Sequence, residues 1–95
     1  MDDFSRIASE LVLTMARALV DHSDQISVEV QKGVHTTVFC LKMAPNELGQ
    51  ILGKHGSNVE AMRKILLGFA AKSKRRAVLE IIDPASNHAP VKVAA

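Results

Sequence analysis

A chain of 95 residues has room for about one domain, and with 47% hydrophobic residues but only three Phe and neither Trp nor Tyr its core must be aliphatic. The same composition excludes the aromatic platforms on which many single-strand binders stack bases. A net charge of +2 is too small to name a partner, and the single cysteine, Cys40, excludes an intramolecular disulfide or a Cys/His zinc cluster built around it.

Asp3 to about Val20 carries Phe4, Ile7, Leu11, Val12, Met15, Ala18 and Leu19 at steps of three and four, which predicts an amphipathic helix of about five turns. After Asp21-His22-Ser23-Asp24, the alternation of Ile26, Val28 and Val30 with Ser27, Glu29 and Gln31 reads as a half-buried strand. Lys32-Gly33 is a short turn, so the apolar run Thr36 to Met43 is a second strand antiparallel to the first, with Cys40 as a small core residue. Pro45 opens a short helix that ends at Gly53. Ser57 or Asn58 then caps a longer helix with Val59, Met62, Ile65, Leu66, Phe69 and Ala70 on one face and a basic far end, Lys72, Lys74, Arg75 and Arg76. Ala77 to Ile82 is a third strand, stopped by Asp83-Pro84. The remainder, 84–95, reads as a flexible tail after a domain spanning 1–83. The order α-β-β-α-α-β predicts a two-layer α+β domain, a three-stranded sheet covered on one face by three helices.

Charge divides unevenly along this order. Residues up to Lys32 carry a net −3, whereas Gly33 to Ile82 carry a net +5 and favour an anionic partner, most simply nucleic acid. The acidic start Met1-Asp2-Asp3-Phe4 is unlike a signal peptide, and no apolar run reaches the ~20 residues of a membrane span, so a soluble cytoplasmic protein is expected. His22, His35, His55 and His88 have no metal-ligand spacing, and no nucleophile has a base at a recognisable position, which points to neither metal nor cofactor nor small-molecule substrate.

The stretch Ile51-Leu52-Gly53-Lys54-His55-Gly56-Ser57-Asn58-Val59 has the outline of an anion-holding loop before a helix N-terminus. It follows a helix and lacks the spacing of a nucleotide-enzyme loop. Three readings stand: a simple helix C-cap and turn, a helix-turn-helix for DNA, or a loop that holds a single nucleic-acid strand.

These residues resemble the signature of the KH domain, an aliphatic pair leading into Gly-x-x-Gly with an aliphatic residue three positions later. The element order matches the type II arrangement. From Met1 to Asp83 the chain is similar to a family of small bacterial KH-domain RNA-binding proteins, sharing Ala18-Leu19-Val20-Asp21, Ala44-Pro45-Asn46-Glu47, Gly49 before Ile51, and Ile81-Ile82-Asp83. The resemblance implies that Gly53 and Gly56 shape a tight loop, that Lys54 and His55 face an RNA backbone, and that the amides of Lys54 to Ser57 hold phosphates. It further implies a narrow groove with Ile51, Leu52, Val59 and Met62 on its aliphatic side, Val38 and Cys40 on the opposite wall, and Arg63 beside it. The partner would be single-stranded RNA, in post-transcriptional regulation or as an RNA chaperone, with a second KH-containing protein or self-association adding affinity. A protein-interaction module with a KH fold, using exposed residues such as Leu67, is the competing reading.

Overall fold

A computed structural model describes residues 2–21 and 24–85. Helix α1 spans Asp3–Leu19 and starts on Asp2, whose carboxylate accepts the Ser5 amide at 2.7 Å. Strands β1 (Ser27–Lys32) and β2 (Thr37–Lys42) form the antiparallel hairpin, closed by Gly33 N–H donating to the Thr36 carbonyl at 2.8 Å. One 3-10 turn, Pro45–Glu47, precedes α2 (Leu48–Leu52), and α3 covers Ser57–Lys72 before β3 (Ala77–Ile81). The expected single helix from Pro45 is therefore split. Glu47, almost fully buried, folds its carboxylate back onto the Ala44 amide at 3.0 Å and holds the chain in the tighter turn.

The sheet order is β1-β2-β3, with β2 antiparallel to β1 and parallel to β3. A parallel pair needs a long crossover, which α2 and α3 supply. Strand parity divides the sheet. Phe39, Leu41, Leu79 and Ile81 are buried with Phe4, Ala8 and Val12 of α1 and Val59, Met62, Leu66 and Ala70 of α3, with Val28 and Val30 packed at their margin. Each large aliphatic side chain so buried contributes roughly 1.5–3 kcal/mol. This is the two-layer α+β arrangement that the pattern predicts. Among the described residues, no helix is long and apolar enough to cross a membrane.

All three aromatic rings are spent on this core. Phe4 stacks on Phe69 at 5.3 Å between centroids and meets Phe39 edge-on at 6.2 Å, while the Arg75 guanidinium covers Phe4 at 5.4 Å. Asp2 joins the same corner by ion pairs with Lys32 at 2.6 Å and Arg75 at 3.6 Å. The hydrogen bond from the Lys32 ammonium, followed by that from the Ser5 amide, holds the Asp2 carboxyl far below the usual carboxylate range. The predicted tail lies outside the described residues from 86 onward.

Candidate nucleic-acid interface

Helix α2 ends where Gly53 donates its amide to the Gly49 carbonyl at 2.9 Å. Gly53 then takes φ 72° and ψ 175°, a region open essentially to glycine alone. A Cβ there would also come within 2.6 Å of the Asn58 side chain. Gly49, by contrast, has open space where a Cβ would sit. The chain next makes one 3-10 turn over Lys54–Gly56, with His55 at φ 56° and Gly56 at φ 75°. His55 is left-handed without being glycine, at a cost of about 1–2 kcal/mol. Lys54 and His55 are consequently displayed at the exposed tip, with no ion-pair partner among the described residues.

Two features of the loop differ from the sequence-based expectation. The α3 N-cap is Gly56, with neither Ser57 nor Asn58 capping by its side chain. Asn58 instead donates Nδ2 to the Gln50 carbonyl at 2.9 Å, satisfying an acceptor at the end of α2 and bracing the loop. The amides of Gly56 and Ser57 are also turned inward, onto the Gly53 carbonyl at 3.1 Å and the Lys54 carbonyl respectively. Of the four amides expected to face a phosphate, Lys54 and His55 remain without a backbone acceptor among the described residues.

The aliphatic set divides as well. Ile51, Val59 and Met62 are core residues, at most 2% exposed, and serve the loop from behind. Leu52 is half-buried against that core. Val38 and Cys40 do not join the loop. Both lie on β2, the central strand, which is paired along both edges, and their parity is opposite to that of the helix-facing Phe39 and Leu41. Cys40 instead belongs to a cleft on the outer face with Glu29, Gln31, Lys42, Glu80 and Ile82. Burial, reinforced by Glu80 and Glu29, pushes its thiol pKa up.

Among the described residues, the strand with an edge left free beside α3 is β3. Half-buried Arg63 bridges the two, donating Nε and Nη2 to the Leu79 carbonyl at 3.3 Å each. Sequence alone does not set strand order, so the hydrophobic pattern does not reveal this edge. A bond from Asn58 to a carbonyl eight residues back likewise has no signature in spacing.

A family model described as KhpA/KhpB, KH domain, matches residues 9–81. The chain belongs to the KhpA/KhpB KH-domain family. One relative is the RNA-binding protein KhpA of Caldanaerobacter subterraneus subsp. tengcongensis, 40% identical over 73 residues, covering 77% of this chain and 97% of the relative. Another is the RNA-binding protein KhpA of Halalkalibacterium halodurans, 38% identical over 77% of this chain and 96% of its own length. A crystal structure of a variant of Aquifex aeolicus Era bound to GDP.AlF4- shares the fold, with a TM-score of 0.54 at 20% identity over 79% of this chain and 29% of that protein. The KH fold accounts for both the glycine loop between α2 and α3 and the mixed sheet.

Proposed function

We propose that the chain binds single-stranded RNA, with the phosphodiester backbone lying on the Gly53–Gly56 loop and the bases directed toward the β3 edge. The observation that carries this reading is the exposed Lys54–His55 tip, held by two glycines at positive φ and braced by Asn58. A lysine ammonium, the free amides of the tip and the positive end of the 16-residue α3 all favour phosphate there. The KhpA relatives are named RNA-binding proteins, which supports RNA as the ligand. With the aromatic rings confined to the core, base contacts fall to aliphatic surface and hydrogen bonds, which favours weak binding with little sequence preference. Such a module suits a post-transcriptional regulator or RNA chaperone in the cytoplasm, acting with a second KH-containing protein or a second copy.

Titration of Lys54→Asp/His55→Asp against a random single-stranded RNA and a duplex DNA tests this, with circular dichroism as the check on folding. RNA affinity falls at least tenfold in the variant. Wild-type binding weakens with salt at a log-log slope of roughly −2 to −3.5, for ~3 to 5 phosphates engaged. Retained RNA affinity in a folded variant refutes the loop grip, and preferential duplex binding revives the helix-turn-helix reading.

A further inference from the structure

The basic residues after α3 lie at the end of that helix opposite the glycine loop. Sixteen residues separate the two ends, about 24 Å at 1.5 Å per residue. Here the β1–β2 turn and the α3–β3 turn meet, fastened by the Thr37 amide donating to the Arg76 carbonyl at 3.0 Å. Between them lies a cleft of about 520 Å³ lined by Val34, His35, Lys74, Arg75 and Arg76.

Helix termination accounts for only part of this cluster. Arg75 is occupied with Asp2 and Phe4. Lys74 and Arg76 are exposed and have no ion-pair partner among the described residues. Helix α3 closes with the Arg75 amide on the Ala70 carbonyl at 2.8 Å and the Lys74 amide on the Ala71 carbonyl at 3.1 Å. In that arrangement the residue after the C-cap is left-handed and usually glycine, yet Lys74 occupies it at φ 57°. A charged side chain thus stands where backbone geometry favours having none. Val34, 93% exposed at the hairpin tip, adds an apolar surface beside the cations. Cations around an apolar contact suit a phosphate and its base, and the β3 edge and α3 lead here from the loop.

The geometry points to this cleft as a second phosphate-binding site for the same single-stranded RNA, engaged by nucleotides beyond those on the glycine loop. This rests on the RNA-binding reading above. The full chain is titrated with a uridine tetramer and a uridine decamer at several salt concentrations, as wild type, Lys74→Glu/Arg76→Glu, Lys74→Gly and Lys54→Asp/His55→Asp. A longer homopolymer also offers more registers, so the salt slope decides. For wild type, the decamer slope is steeper than the tetramer slope by about 1.5, at roughly 0.7 per added phosphate. The Lys74→Glu/Arg76→Glu variant loses that increment and keeps tetramer affinity within twofold. Lys74→Gly, which suits the left-handed backbone, loses about half of it with no fall in Tm. Equal slopes for both oligomers in wild type, or an undiminished increment in the charge-reversed variant, overturn the second site. Undiminished binding of both oligomers by the loop variant instead overturns the loop grip, leaving the second site to be judged on its own variants.

Discussion

Asn58 donates its side-chain amide to the Gln50 carbonyl at 2.9 Å and so ties the first turn of α3 to the last turn of α2 across the glycine loop. Within the loop, the Lys54 and His55 amides are left without a backbone acceptor among the described residues. Asn58→Ala strands the Gln50 carbonyl and lowers stability by about 1 kcal/mol. The looser tip reduces RNA affinity several-fold, measured by titration beside a denaturant melt. Unchanged RNA affinity in a measurably less stable variant shows that the brace serves the fold alone.

Gly53→Ala is the more severe change, because two costs coincide. The φ of 72° with ψ 175° strains any side-chain-bearing residue by roughly 1–3 kcal/mol, and the added Cβ meets Asn58 at 2.6 Å. Gly49→Ala meets nothing within 4 Å and gains helix propensity. Thermal melts should therefore separate the two alanines, with Gly53→Ala lower by several degrees and Gly49→Ala unchanged or higher.

Periodicity was enough to order the elements, since the strict alternation around Val28 and Leu79 and the three- and four-residue steps of α1 each report one buried face. Which strand lies at the sheet edge beside α3 was not legible. Val38 and Cys40 look like ordinary half-apolar strand positions, and only pairing reveals that β2 is central and that β3 is an edge strand among the described residues. Ile51, Val59 and Met62 were legible as aliphatic and adjacent to the loop, but a one-dimensional pattern does not distinguish lining a groove from supporting it. His55 and Lys74 are similar cases. Nothing in local sequence announces a left-handed non-glycine residue, and tertiary context sets both.

Stability depends on pH through Asp2. Its carboxyl is held below its ordinary range, so the folded state binds its proton less readily than the unfolded chain. The contribution is therefore fully present above the unfolded pKa of about 3.9 and is lost as pH falls through the lower folded value. Asp2→Asn should melt below wild type at pH 7, with the gap closing as pH drops below about 4. A gap independent of pH would mean that the side chain acts only as a helix cap.

Cys40 is a thiol only 4% exposed and flanked by Glu80 and Glu29, so its thiolate is suppressed by burial first and by those carboxylates second. Reaction with a disulfide reagent at pH 8 should be slow in the native protein and fast in denaturant, because the thiolate is the nucleophile. Glu80→Gln should raise the native rate by removing one unfavourable charge. A native rate equal to the denatured one would contradict the burial seen on the outer sheet face.

Arg63 separates structure from recognition at the β3 edge. Its Nε and Nη2 both reach the Leu79 carbonyl at 3.3 Å, on the edge of β3 that faces away from β2 and has no partner strand among the described residues. Arg63→Ala removes both donors and the packed stem, costing about 1–2 kcal/mol. Arg63→Lys keeps a charge but not the two-pronged geometry, so it recovers part of any electrostatic contribution and little of the edge contact. If Arg63 serves RNA by charge, Lys restores the salt slope of binding that Ala reduces. If it serves by holding α3 to β3, both variants melt lower and keep the wild-type slope. Salt-dependent titration of the two variants, paired with their melts, therefore assigns this residue to the strand or to the ligand.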